Sequence, residues 1–156
     1  MIPSKSLLVD AAMILALILI GVVGYKLSPL LLPKADVIVQ PDPGCDLHRA
    51  PCTAVLPQGG RLNFALTPHP IPVTQPLDME VDIEGAGADR VAVDFAGVDM
   101  SMGFNRTTLR AVDAHRHVGQ TVLPVCVTGR MLWQATVLVD TGRTRIAVPF
   151  RFEAGH

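Results

Sequence analysis

The chain has no cluster of lysine or arginine and almost no net charge, with 13 basic residues against 14 acidic ones. A surface that tracks phosphates needs a basic stripe, so nucleic acid is not an expected partner. The spacings that carry common catalysis are also missing. G-x-S-x-G, H-E-x-x-H, G-x-x-x-x-G-K-[ST] and C-x-x-C occur nowhere in the 156 residues, which removes a nucleophile elbow, a zinc helix, a phosphate loop and a dithiol redox pair. An enzyme is therefore not expected. Aromatic residues are scarce at 4%, and no helical period extends through the sequence after residue 25. Valine, alanine and leucine are plentiful, and proline and glycine number 13 each. Many short strands punctuated by turns fit that composition.

One long apolar run stands out, Ala11 to Tyr25. Extended back to Leu7 it covers 19 residues, and at about 1.5 Å per residue a helix of that length spans a hydrocarbon core of roughly 30 Å. A cleaved signal peptide is the competing reading, since Lys5 supplies a positive flank. However, Tyr25-Lys26-Leu27-Ser28-Pro29 follows the run in place of a small-x-small cleavage triplet. The expectation is a cytoplasmic stub over 1–6, a transmembrane anchor over 7–25 in the lipid bilayer, and an exported remainder. Lysines flank both ends of the run, so the positive-inside rule does not orient it. A short stub left behind and three cysteines favour the C-terminal part in an oxidising periplasm, on a bacterial inner membrane.

About 110 residues then remain for one domain with a single core. Pro29, Pro33, Pro41 and Pro43 mark residues 26–44 as a semi-rigid stalk in which a helix should not continue, although Val37-Ile38-Val39 also reads as an edge strand. Period-two alternation predicts a hairpin from 53–56 and 62–66, and a second from 77–84 and 91–95. Further strands are predicted at 107–112 and 119–127, then a C-terminal hairpin from 131–139 and 146–152. Seven or eight antiparallel strands after a single N-terminal transmembrane helix give an all-β, immunoglobulin-like sandwich over 45–153.

Cys45 and Cys52 lie close in a domain read as exported and are expected to form a disulfide, which makes Cys126 a small buried thiol, although three cysteines allow three single pairings and Cys126 could be the bridged one. Met100 and Met102 are two apart, so on an extended segment their thioethers leave one face. Their neighbours Asp99, Ser101, Gly103 and Asn105 are small or polar, as at a sheet rim. Thioethers are soft, uncharged ligands suited to Cu(I), and Cys126 and Met131 would join them if the strands are adjacent. Core packing is the competing reading for the methionines. His115 and His117 share the same spacing but read as an exposed turn beside Asp113 and Arg116. Asp78, Glu80, Asp82 and Glu84 read as one solvated sheet face.

The order of an N-terminal apolar run, Met100-Ser-Met102, His117-Val-Gly119 and Gly129-Arg-Met-Leu-Trp133-Gln-Ala-Thr-Val137-Leu-Val139 resembles the FixH and YtkA-like group of membrane-anchored periplasmic domains. The resemblance covers about residues 70–152, without the proline that commonly precedes the methionine pair. It implies an immunoglobulin-like sandwich and a role in copper handling or in assembly of a respiratory haem-copper oxidase. The partners so implied are a membrane respiratory complex or a copper chaperone, and copper is the implied cofactor. The alternative is a metal-free module that docks on a membrane complex through an edge strand or loop.

Overall fold

Alternating side chains on a pleated strand leave opposite faces, so each run of that pattern must bury one face against another layer. The computed structural model describes residues 5–31, 35–100, 103–124, 129–142 and 144–155, and in it these runs form two packed sheets. The chain divides into two compact units, Met1–Lys34 and Ala35–His156.

The first unit holds helix α1, Lys5–Leu31. It does not stop at Lys26 as the prolines suggested, but runs through Pro29. That proline sits in the last turn, where its fixed φ is already helical and its missing N–H removes one terminal ladder bond. Side chains are described only for Val9–Tyr25 of α1, and among the described residues no helix is long and apolar enough to cross a membrane.

The second unit contains, among its described residues, ten strands: β1 (Val37–Ile38), β2 (Cys52–Val55), β3 (Arg61–Thr67), β4 (Pro76–Glu84), β5 (Arg90–Gly97), β6 (Arg106–Thr108), β7 (Arg110–Ala111), β8 (Arg116–Val122), β9 (Met131–Asp140) and β10 (Arg145–Ala154). One sheet has the order β1-β10-β9-β5-β6 and the other β2-β3-β4-β8-β7. This is an all-β sandwich of immunoglobulin-like type. The count exceeds the expected seven or eight because Val37–Ile38 forms the edge strand β1 in place of stalk, and the strand expected over 107–112 is two short ones, β6 and β7. β1 pairs in parallel with the start of β10, so the sandwich begins at Ala35 and takes in the second half of the expected stalk.

The hairpins β2–β3 and β9–β10 form as the alternation indicates. The expected hairpin of 77–84 with 91–95 does not. β4 and β5 follow each other in sequence yet lie in opposite sheets, and residues 85–89 carry the chain across. The segment 107–112 likewise splits at Leu109, which is buried while β6 joins one sheet and β7 the other. Alternation states which face of a strand is covered, and either sheet satisfies it.

The core lies between the inner faces. Trp133, Phe64, Phe95, Phe150, Leu62, Leu77 and Val81 are all fully buried. Phe64 and Phe150 meet across the sheets with centroids 5.1 Å apart, and Phe95 meets Phe152 edge-on at 6.4 Å. Gly119 faces inward from β8 beneath Leu109, and a Cβ there would stand 2.5 Å from Leu109 Cδ2. Its role is close approach in mid-strand, because His117-Val-Gly119 lies within β8.

Candidate functional site

β5 ends at Gly97 opposite Trp133 of β9, and the Val98 N–H then donates to Leu132 O at 3.0 Å. The segment carrying Met100 is thereby laid beside the start of β9, whose first residue is Met131. Met100 is 42% exposed, whereas Met131 is half-buried and packs against the core. The rim position expected for Met100 is observed. Met102 and Cys126 lie outside the described residues.

The segment Gly103–Phe104 leads into Asn105, which pins it to β8. Thr121 Oγ1 donates to Asn105 Oδ1 at 3.1 Å, and Asn105 Nδ2 donates to Val122 O at 3.3 Å. Phe104 is 79% exposed, with the Arg106 guanidinium 5.0 Å above its ring. Arg106 is itself held by Asp94 at 2.8 Å. Val98 and Val122 are also exposed, so the segments holding Met100 and Phe104 form a partly apolar rim. Phe104 carried no signal in the sequence, because a lone aromatic between Gly103 and Asn105 belongs to no period.

Among the described residues no group of three or more histidine, cysteine, aspartate or glutamate side chains gathers to hold a metal. The donor set that remains is thioether: Met100, exposed, and Met131, half-buried at the start of the adjacent strand. Neutral soft donors fit Cu(I) and not a hard divalent cation.

Cys45 and Cys52 are bonded as a disulfide. Within the ring they close, Asp46 accepts the His48 N–H at 3.0 Å and pairs with Arg49 at 3.1 Å, while Leu47 turns into the core. The acidic stripe of β4 faces outward as read. Asp78 accepts from Gln120 Nε2 at 2.8 Å and Glu80 lies 3.8 Å from Arg116.

The two histidines part company. His115 sits in the exposed turn before β8, its Nδ1 3.1 Å from Ile83 O. That turn is held by Asp113, whose carboxylate takes the N–H groups of His115 and Arg116 and is thereby held below the ordinary aspartate range. His117, expected in the same turn, is instead buried on the inner face of β8 opposite Val81. Among the described residues its Nδ1 has no hydrogen-bond partner, and neither does the buried Nε1 of Trp133. A buried polar atom left unmatched costs about 1–3 kcal/mol, and an apolar replacement of similar shape removes that cost. His117→Leu is therefore expected to stabilise the domain by about 1 kcal/mol, read as a higher urea midpoint at pH 7. A lower midpoint would mean that the imidazole is bonded in solution.

At the end of the sandwich away from Met100, Asp140 is held below the ordinary aspartate range, chiefly because it accepts from the Arg145 guanidinium at 2.9 Å. The Arg145 backbone N–H donates to Asp36 Oδ2 at 2.8 Å, which fastens β1 to the start of β10.

No protein-family model matches this chain, and no curated protein matches it. A DUF4785 family protein from Legionella pneumophila is similar in part, with a TM-score of 0.44 and 10% identity over 62% of this chain and 28% of that one. The chain thus spans under a third of that protein's length, and a likeness below a TM-score of 0.5 carries no argument about fold or function. The class of protein rests on the two sheets themselves.

Proposed function

We propose that this chain is a membrane-anchored periplasmic accessory protein that handles Cu(I), in the service of a respiratory haem-copper oxidase or a copper chaperone. The observation that carries this reading is the exposed Met100 thioether on a segment held beside Met131 by the Val98–Leu132 hydrogen bond. Met100 and Met102 would hold the ion, with Met131 and Cys126 as further donors. Copper, when bound, would be cargo. The anchor would be residues 7–25, whose described side chains, Asp10 apart, put apolar groups on every side of α1. Leu15, Leu17 and Ile20 are about as exposed in this chain as Val9 and Leu19, and a helix apolar all round needs lipid or protein cover.

The test is a Cu(I) competition titration of the Ala35–His156 unit beside Met100→Leu/Met102→Leu, under reducing and non-reducing conditions. Leucine and methionine have similar volumes, so the fold should persist. One-to-one binding that disappears in the variant, with an unchanged melting temperature, supports the proposal. Equal affinity in the two proteins, or no binding in either, overturns it.

A second reading is favoured by the exposure of Val98, Phe104 and Val122 around the same segment. Here the rim is a protein-docking surface, Met100 is one of its apolar contacts, and no metal is involved. Capture of a membrane complex that survives removal of all copper, and is lost on Phe104→Asp, would select this reading over the first.

A further inference from the structure

The outer face of the β2-β3-β4-β8-β7 sheet carries a groove unrelated to the methionine segment. Its floor is set by register. One cross-strand row runs Thr67, Asp78, Gln120, and the next runs Ala65, Glu80, Val118, Arg110. Thr107 and Thr108, in the segment that crosses between the sheets, form the end wall, and the groove encloses about 570 Å³. That volume lies within the roughly 300–1,000 Å³ range of small-molecule sites.

The chemistry of the two rows is specific. Glu80 and Arg110 sit on strands two apart, so their Cα atoms are separated by about 10 Å with Val118 between them. Ala65 and Val118 make a small apolar floor, and the polar groups stand around it. Asp78 is oriented by the Gln120 amide, which leaves free lone pairs on the carboxylate and a free N–H on the amide. Arg110 forms no ion pair among the described residues, so its five donors remain for a ligand. Acceptors, donors and hydroxyls are thus mixed around an apolar centre, and the two carboxylates are partly offset by Arg110 and Arg116.

From this arrangement we infer that the groove binds an uncharged polyhydroxylated ligand of the saccharide class. A pyranose has an apolar C–H face to rest on Val118 and Ala65. Its rim of hydroxyls can donate to Asp78 and Glu80 and accept from Gln120, Arg110 and the threonines. A dication would leave Arg110 opposed, and an anion would face two carboxylates. Nothing in the proposal depends on copper or on the anchor.

The experiment is an NMR titration of the ¹⁵N-labelled full chain in a detergent without a sugar headgroup. The probes are glucose, N-acetylglucosamine, maltose and chitobiose, with putrescine and glycine betaine as charged controls. Saturable shifts confined to amides 65–67, 78–80, 107–110 and 118–120 are expected with at least one sugar. Asp78→Ala and Gln120→Ala should each raise its Kd about tenfold, or 1.4 kcal/mol. Both side chains are exposed, so the spectra of the variants should keep the wild-type dispersion elsewhere. The inference is overturned if no sugar gives saturable shifts at its solubility limit. It is equally overturned if putrescine or betaine binds the groove more tightly than any sugar.

Discussion

Replacing Trp133 with alanine is expected to lower the unfolding free energy of the sandwich by about 3–5 kcal/mol. Trp133 is the largest fully buried side chain, and it sits near the start of β9, where the register sets it between Gly97 and Phe152. Gly97 brings no side chain to that row, so little is at hand to collapse into the space the indole would leave. The cost of a cavity grows with how poorly its walls relax. The indole N–H is unmatched, and its removal recovers some of the loss, which places the effect nearer the lower bound. Against a total of about 5–15 kcal/mol for a domain of ordinary stability the variant would be close to unfolding at 37 °C. Urea denaturation followed by far-UV circular dichroism measures the change without needing the lost fluorophore. A loss below about 1 kcal/mol would mean that the indole is not central to the core. The same variant would loosen the start of β9, and with it the backbone that receives Val98.

Breaking the Cys45–Cys52 bond is expected to cost about 2–3 kcal/mol in the chain-entropy account for so small a ring. The bridge joins residues seven apart in sequence. It also carries Leu47, almost wholly buried, into the core, and it leads directly into the edge strand β2. Reduction frees the loop in the unfolded chain and loosens the seat of Leu47 in the folded one. Cys45→Ala/Cys52→Ala should reproduce the effect of dithiothreitol on the urea midpoint, and dithiothreitol should then do nothing further to the variant. With three cysteines in all, thiol titration of the unreduced, denatured protein should find one thiol, Cys126. Two or more thiols, or an unchanged midpoint on reduction, would contradict the bridge.

The disulfide lies on β2 in the other sheet from the methionine segment, so the Cys45→Ala/Cys52→Ala variant serves as a control for the copper titration. Loss of copper binding in a destabilised protein would have a cause different from loss in Met100→Leu/Met102→Leu, where melting should be unchanged.

How far the sequence alone reached follows from which interactions are local. The C-terminal hairpin was readable because Met131, Trp133, Ala135, Val137 and Val139 alternate over nine residues and a short turn forces the return. The small Cys45–Cys52 ring was readable because two cysteines that close in sequence are close in space whatever the fold. The identity of the inner faces followed too, and Leu77, Met79, Val81 and Ile83 are buried as their alternation requires.

Sheet membership was not local. The pattern of β4 followed by β5 reads as a hairpin, yet each strand buries its face equally well in either sheet, and only the whole set of pairings sends one to each. His117 shows the same limit at the scale of one residue. Its neighbours Asp113 and Arg116 suggested a wet turn, but β8 begins at Arg116, and one residue later the pleat turns the ring inward. The groove over Val118 belongs to this class as well, since Ala65, Glu80, Val118 and Arg110 are far apart in sequence and meet only through register. Composition, alternation and cysteine spacing settled that this chain makes a disulfide-bearing β-sandwich, because burial of one strand face and closure of a small ring are short-range demands. Which strands are neighbours, which polar atoms are buried without partners, and which side chains share a surface were decided by tertiary packing, because those depend on contacts between segments that the sequence does not place side by side.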